Sequence, residues 1–143
     1  MRPALSSFLF SFHPFGRIPP GRIADLGFEG LEVWFIESHL PWRDPEALAT
    51  ARQAVQDAGL VIASVHLPVY RGAPGDRTRK NFSLLDPDAN ERAGAFAEVE
   101  SALEAASAMG AEHAVLHLGW PGDEMDEEGR HRAAEAVSRL CAQ

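Results

Sequence analysis

The stretch VIASVHLP, residues 61–68, joins a strand pattern to a histidine at the point where the strand must stop. Five of the first six residues suit a buried β-strand, and Leu67 and Pro68 end the strand directly after His66. The stretch HAVLHLGW, residues 113–120, repeats the arrangement, with His117 closing another apolar run. Continuous apolar runs are typical of parallel strands that helices cover. We therefore predict two parallel strands, each with an imidazole at its carboxyl end.

The rest of the chain alternates strand patterns with helix patterns. Asp44 and Pro45 begin a helical pattern that Gly59 ends, and the longest helix begins either at Asp86-Pro87 or with a capping box from Asp88 to Glu91. Strands are predicted at about 4–12, 30–36, 60–66 and 112–118. Helices are predicted at about 19–26, 44–59, 88–109 and 126–140. The last helix is expected to place Ala133, Val137 and Leu140 on one side.

Four strands that alternate with four helices fit two α/β architectures. One is a small, open, doubly wound sheet, and the other is a set of four βα units from a parallel (β/α)8 TIM barrel. A complete barrel needs about 250 residues, and this chain of 143 residues offers half of that. The periodicity leaves both architectures open. In either case, residues 1–143 form a single domain, which in the second case is a half or truncated barrel.

Composition limits the classes of function. The chain is 45% hydrophobic and 24% charged, which is typical of globular domains. The single cysteine, Cys141, allows no disulfide within the chain, which favours a reducing, cytoplasmic compartment. No apolar run approaches the roughly 18 residues of a membrane span. A formal net charge of −8 argues against nucleic acid as a partner.

The charge is uneven, because residues 71–80, RGAPGDRTRK, carry four basic side chains against Asp76 alone. Two interpretations remain open for this stretch, a solvated loop and a lid that contacts an anion. In the second interpretation Arg71 is a candidate substrate-binding residue.

His66 and His117 are the candidate metal ligands. Active sites of parallel α/β folds lie at the carboxyl ends of the strands, where the sequence places both imidazoles. A neutral imidazole is the commonest ligand for zinc and similar metals. Two such side chains from neighbouring strands can reach one ion, although each can also be a hydrogen-bonded packing residue.

Three further residues near the strand ends are candidate substrate-binding groups. Glu32 is a charge inside an apolar strand and therefore needs a partner or a function. His13 follows the first strand in a Pro-flanked loop, as His39 follows the second. Trp120 can line the mouth of a pocket, and packing is the alternative for it.

The stretches IADLGFEGLEVW (23–34), AGLVIASVHLP (58–68) and NFSLLDPDANERAGAFAEVESALEAASAMGAEHAVLHLG (81–119) resemble one known group of proteins. They are similar to the first four βα units of the xylose-isomerase-like TIM-barrel superfamily. This superfamily contains sugar and sugar-phosphate isomerases and epimerases, and zinc-dependent apurinic endonucleases. The resemblance spans nearly the whole chain in the right order and favours the half barrel over the open sheet.

The two branches of the superfamily imply different metal sites. In the endonuclease-like branch, the histidines that end the third and fourth strands are zinc ligands, and His66 and His117 match those positions. In the isomerase and epimerase branch, the divalent metal (Zn, Mn or Mg) is held by residues of the second half, and His66 only shapes the substrate site. The sequence has His117-Leu118-Gly119 where the endonuclease branch usually shows His-Pro-Gly. This departure and the acidic charge favour the sugar branch.

We therefore predict the N-terminal half of a metal-dependent sugar or sugar-phosphate isomerase or epimerase, acting on a small polyhydroxy or sugar-phosphate substrate. One alternative is a zinc-dependent, apurinic-endonuclease-like phosphodiesterase. Another is a non-catalytic half barrel that needs a partner chain. In all three cases the metal site is incomplete within residues 1–143, so normal turnover by this chain alone is not expected. Open barrel edges predict a homodimer, poor solubility or only partial order.

Overall fold

The computed structural model describes residues 3–70, 81–120, 123 and 125–142. Four strands run through it: β1 (Ala4–Ser6), β2 (Gly30–Trp34), β3 (Val61–His66) and β4 (Ala114–Val115). Four α-helices alternate with them: α1 (Pro20–Asp25), α2 (Pro45–Asp57), α3 (Ala89–Ala108) and α4 (Glu127–Cys141). None of these helices is both long and apolar enough to cross a membrane.

The helices begin where the sequence offers caps. The Asp44 side chain accepts a hydrogen bond from the Glu46 N–H at the start of α2, where Pro45 takes the first helical position. The Asp88 side chain accepts from the Asn90 and Glu91 N–H groups at the start of α3. These caps satisfy amides that have no partner within the helix.

The strand order settles which of the two architectures the chain adopts. The four strands lie in the order β1-β2-β3-β4, and each pairs in parallel with its neighbour. A doubly wound sheet reverses its strand order at a switch point, whereas a barrel adds each new strand beside the last. The chain therefore forms four consecutive βα units of a barrel, which confirms the half barrel.

The prediction of a first strand over residues 4–12 is wrong in its extent. The chain leaves the sheet after Ser6, whose Oγ caps a 3₁₀ turn over Ser7–Phe10 by accepting the Phe8 N–H. The Ser7 Oγ then accepts the Trp34 N–H at 3.0 Å, which holds the turn against β2. Apolar content alone does not distinguish such a turn from a continued strand.

The fourth strand is also shorter than the 112–118 that the sequence predicts. Only Ala114 and Val115 pair with β3. Beyond them the Leu84 N–H donates to the Leu118 carbonyl at 2.8 Å, so the segment before α3 replaces a strand as the hydrogen-bonding partner. The ends of β2 and β3 lie within two residues of the predicted ones, which is ordinary variation.

The core lies between the sheet and the helices. Leu31, Val33 and Val65 are fully buried, and α2 and α3 cover them with short or branched side chains. The side chains of α2 and α3 buried there are Leu48, Ala51, Val55, Ala95, Val99, Ala102 and Ala106. Because the helices take the outer side of the strands, the polar residues of the strands are left on the inner side.

Candidate functional site

Five side chains form a connected group on the inner side of the sheet, near the carboxyl ends of the strands. We call Ser6, Glu32, Trp34, His66 and His117 the inner-face cluster. Register explains why they meet: Ser6 is paired with Glu32, and Trp34 is paired with His66. Paired residues of parallel strands point to the same face of a sheet, so strand pairing places these groups side by side.

The Glu32 carboxylate is held by two donors. Its Oε1 accepts the Ser6 hydroxyl at 2.5 Å and the Trp34 indole N–H at 2.7 Å, and the same indole N–H lies 3.0 Å from the Ser6 Oγ. These bonds explain how a charge is accommodated inside an apolar strand. They also hold a half-buried carboxylate in a fixed orientation, facing the inner side of the sheet.

His66 is buried, with 4% of its surface exposed. Its Nδ1 lies 3.0 Å from the Leu67 carbonyl, so that nitrogen carries the proton and donates it, which leaves the Nε2 lone pair available. The ring stacks on Trp34, with 3.5 Å between centroids and 15° between planes. The hydrogen bond and the stacking together fix the orientation of the His66 ring and therefore the direction in which its Nε2 points.

The surroundings of His66 favour its neutral form. Burial lowers the pKa of His66 below its ordinary value of 6.5, and the hydrogen bond to the Leu67 carbonyl opposes that shift. The neighbouring His117 lowers the pKa further, whereas the Glu32 carboxylate raises it. A neutral imidazole with a free Nε2 can accept a hydrogen bond from a hydroxyl or bind a metal ion.

His117 lies close to His66 but is exposed. Their ring centroids are 5.0 Å apart in an edge-to-face arrangement, so the fold brings the two candidate metal ligands together. Among the described residues, no group of three or more His, Cys, Asp or Glu side chains is placed to hold a metal ion. The metal-binding role of the pair therefore remains a prediction.

The other candidate residues lie around this cluster. The Trp120 ring is 6.3 Å from that of His117, and its indole N–H donates to the Phe82 carbonyl at 2.9 Å. His13 is exposed, and its carbonyl oxygen accepts a hydrogen bond from the His39 ring. Arg71 and the basic stretch 71–80 lie outside the described residues. Binding of substrate by Glu32, His13, Trp120 and Arg71 remains a prediction.

His39 has a packing role. The side chain is 1% exposed and uses both ring nitrogens: Nδ1 lies 2.6 Å from the His13 carbonyl and Nε2 lies 3.2 Å from the Ser7 Oγ. The rings of Phe10 and Phe15 meet it edge on. His39 therefore fixes the segment between β1 and α1, from which the Phe8 ring reaches Trp34 at 4.5 Å between centroids.

Sequence reasoning missed Asp123. Its Oδ2 accepts hydrogen bonds from the Ser83 hydroxyl and the Trp120 N–H, both at 2.7 Å. The carboxylate thus joins the segment before α3 to the loop after β4, beside His117. An Asp three residues after Trp120 in a Gly-Pro-rich loop is the one signal in the sequence, since Asp favours such turns.

Several solved structures with the same fold are described as sugar epimerases or as similar to them. A D-tagatose 3-epimerase-like protein has a TM-score of 0.71 at 17% identity, over 98% of this chain and 47% of its own. The D-psicose 3-epimerase from Clostridium cellulolyticum H10, solved with D-tagatose, has a TM-score of 0.69 at 17% identity, over 99% and 48%. The 3-keto-D-glucoside 4-epimerase from E. coli has a TM-score of 0.66 at 15% identity, over 98% and 50%.

At these identities the likeness concerns the fold, and the chain spans about half the length of each of these proteins. A search of the curated proteins finds no match. The family model described as "Xylose isomerase-like TIM barrel" matches residues 20–143, which contain three of the four strands and all four helices. The chain belongs to the xylose isomerase-like TIM barrel family.

Proposed function

We propose that this chain supplies the first four βα units of a metal-dependent sugar or sugar-phosphate isomerase or epimerase, and that the inner-face cluster binds the substrate. The observation that carries the proposal is the cluster itself. It combines a held carboxylate, an indole stacked on an imidazole and an imidazole nitrogen that has no hydrogen-bond partner among the described residues, near the carboxyl ends of parallel strands. Epimerase descriptions among proteins of the same fold support the class of substrate.

The chemistry of the cluster suits a small polyhydroxy compound. Glu32 accepts hydrogen bonds from hydroxyl groups, and the neutral His66 accepts one at Nε2. The aromatic faces of Trp34 and Phe8 offer apolar surface to the C–H side of a sugar, while the polar groups fix its orientation. In this proposal His13 and Trp120 border the same site, and Arg71 meets the anionic group of a phosphorylated substrate.

Among the described residues, His66 and His117 are the pair that fits a metal ion, and in that case the His66 Nε2 binds the ion in place of a substrate hydroxyl. The Nδ1 of His66 donates to a backbone carbonyl, which is the usual arrangement behind an imidazole that binds metal through Nε2. A divalent ion (Zn, Mn or Mg) would polarise the carbonyl and hydroxyl oxygens of the substrate. Two imidazoles make only part of a coordination shell, so further ligands have to come from outside the described residues. A cytoplasmic location belongs to the same proposal, and the free, exposed Cys141 supports it.

The three tryptophans allow a direct test of sugar binding. We would follow the indole N–H resonances of the chain by NMR while adding D-tagatose. Trp34 and Trp120 belong to the site, whereas Trp42 stacks on Phe35 within the core and is 1% exposed, so it is an internal control. We expect the Trp34 resonance to shift and that of Trp42 to stay.

The matched variant for this test is Glu32→Gln, which keeps the shape of the side chain and removes its charge. We expect it to weaken the response of Trp34 at least five-fold. A resonance of Trp34 that does not move at about 100 mM sugar, or one that moves no more than that of Trp42, would reject the proposed site.

The approach of His66 and His117 to 5.0 Å favours a second candidate, a zinc-dependent phosphodiesterase. Titration of the chain with Zn²⁺ by calorimetry separates the two functions. Tight binding that His117→Gln abolishes, together with no response of Trp34 to sugar, would favour the phosphodiesterase. The net charge of −8 argues against a nucleic-acid substrate for this half.

A further inference from the structure

Two neighbouring serines at the end of β1 have different partners. The Ser6 hydroxyl belongs to the inner-face cluster, where it donates to Glu32. The Ser7 side chain is fully buried, and its Oγ lies 3.0 Å from the Trp34 backbone N–H and 3.2 Å from the His39 Nε2. Ser7 therefore connects β2 to a histidine outside the inner-face cluster.

The chemistry of the buried groups fixes the direction of each hydrogen bond in this connection. The His39 Nδ1 lies 2.6 Å from the His13 carbonyl oxygen, so Nδ1 carries the ring proton and donates it. In the neutral ring, which burial favours by lowering the pKa of His39, Nε2 is an acceptor for the Ser7 hydroxyl. The Ser7 Oγ in turn accepts the Trp34 N–H. We call these bonds, from Trp34 through Ser7 and His39 to His13, the Ser7–His39 bridge.

His39 holds the β1–α1 segment, residues 7–19, at three points. Its ring bonds to the Ser7 hydroxyl and to the His13 carbonyl, and its own carbonyl accepts the Phe15 N–H at 2.7 Å. His39 itself stands in the connection between β2 and α2. One buried residue of the second βα unit therefore fixes the path of a segment in the first.

That path decides where the Phe8 ring lies. Phe8 follows Ser7 directly, and its half-exposed ring has its centroid 4.5 Å from that of Trp34. Trp34 receives the Ser7 bond on its backbone, and its ring stacks on His66. The Ser7–His39 bridge thus acts on both aromatic rings that the proposed function assigns to the C–H side of a sugar.

We propose that His39 is a positioning residue of the sugar site, which acts through the Ser7 hydroxyl to hold Phe8 against Trp34. The inference rests on the proposed function, because a sugar is the ligand that these two rings would contact. Without the His39 acceptor, the buried Ser7 hydroxyl has no partner in the bridge, and an unsatisfied buried donor costs more than its bond contributes. The β1–α1 segment then moves to satisfy it, and Phe8 moves with the segment.

Asparagine and glutamine separate the two ring nitrogens of His39. The amide of an asparagine reaches the position of Nδ1, whereas the amide of the longer glutamine reaches that of Nε2. His39→Asn therefore keeps a donor for the His13 carbonyl and leaves the Ser7 hydroxyl without an acceptor. His39→Gln keeps an acceptor for Ser7 and gives up the donor to His13. Both variants lose the packing of the imidazole ring, so their difference reports on the bridge.

The first measurement needs no sugar. We would follow the nuclear Overhauser effect between the ring protons of Phe8 and Trp34 by NMR, with the Trp42 indole resonance as a control in the core. We expect His39→Asn to weaken the Phe8–Trp34 effect and to shift the Trp34 indole resonance, and His39→Gln to retain both. Equal losses in the two variants would overturn the proposal, because they would show that His39 acts by packing alone.

Two buried serines of the β1–α1 segment provide the matched control. Ser7→Ala removes one oxygen atom from the bridge, and Ser11→Ala removes one from a buried side chain that is not part of the bridge. We expect only Ser7→Ala to weaken the Phe8–Trp34 contact, and equal effects of the two would overturn the proposal. This pair decides the question if His39→Asn also displaces the Trp42 resonance.

A titration with D-tagatose separates this inference from the proposed function. We expect His39→Asn and Ser7→Ala to raise the Kd about five-fold and His39→Gln to change it less than about two-fold, since one hydrogen bond is lost in the first two. Unchanged affinity in His39→Asn would overturn the positioning role and leave the proposed function in place. If the unmodified chain does not respond to the sugar while its Phe8–Trp34 contact depends on Ser7, the proposed function is rejected and the positioning of the two rings is retained.

Discussion

The middle and the end of the sheet have similar sequences and different structures. The strands β2 and β3 run for five and six residues, and Leu31, Val33 and Val65 within them are fully buried. The strand β4 is built from an equally apolar run but has two paired residues, and both are exposed. The difference lies in the neighbours, since β2 and β3 have strands on both sides, whereas among the described residues β4 pairs with β3 alone.

The same contrast separates the helices. The helix α2 buries Leu48, Ala51 and Val55, which recur at the spacing of one helix face. The helix α4 carries Ala133, Val137 and Leu140 on one side, but the residues that it buries are Gly129 and Ala136, and Val137 is 47% exposed. An apolar pattern thus shows which face can be buried, and burial itself needs a partner element.

The largest expected effect contrasts two leucines, one in the middle of β2 and one directly after α1 in the first βα unit. Leu31→Ala removes a fully buried side chain of β2 and leaves a cavity, so we expect it to lower the free energy of unfolding by about 3 kcal/mol. Leu26→Ala changes a side chain that is 75% exposed, and we expect less than about 0.5 kcal/mol. Urea unfolding measures both.

Similar losses for both leucines would contradict the contrast, because they would show that the first βα unit packs as tightly around Leu26 as the centre of the sheet packs around Leu31.

A smaller loss of stability is expected for a substitution at Gly119, in the loop after β4. A Cβ at Gly119 would lie 2.4 Å from the Asp123 Oδ2 and 2.8 Å from the Leu85 Cδ1, so Gly119→Ala must displace the carboxylate that holds Trp120. We expect a loss of about 1–3 kcal/mol and a shifted Trp120 indole resonance. Gly16→Ala is the control, because a Cβ there meets nothing within 4 Å.

How much the sequence can predict follows from the range of the interactions involved. Caps and helix limits depend on a few adjacent residues, so the sequence predicts Asp44 as a cap and offers Asp88 as one of two starts for α3, and the structure confirms Asp44 and selects Asp88. The approach of His66 to His117 follows from strand ends in a parallel sheet, so the sequence predicts it as well. The contact of Glu32 with Ser6 and that of Asp123 with Ser83 could not be predicted, because these serines lie 26 and 40 residues away from the carboxylates.

The smallest expected effect is a dependence of stability on pH, and it arises from the buried side chain of His39. Burial lowers the pKa of His39 below 6.5, and the hydrogen bond to the His13 carbonyl opposes the shift. As the pH falls below 6.5, the unfolded chain binds a proton that the folded chain does not bind. The free energy of unfolding therefore decreases from about pH 6.5 down to the lowered pKa and changes no further below it. His66 contributes in the same direction.

Urea midpoints between pH 7.5 and 5.5 measure this dependence, and two variants assign it. His39→Gln removes the titrating group, so we expect a shallower decrease of stability towards pH 5.5 than in the unmodified chain. Ser7→Ala removes the hydroxyl 3.2 Å from the His39 Nε2 and keeps the histidine. It should lower stability at every pH while the decrease towards pH 5.5 persists, because burial rather than that hydroxyl lowers the pKa. If the stability of His39→Gln decreased towards pH 5.5 as much as that of the unmodified chain, the titrating group would not be His39.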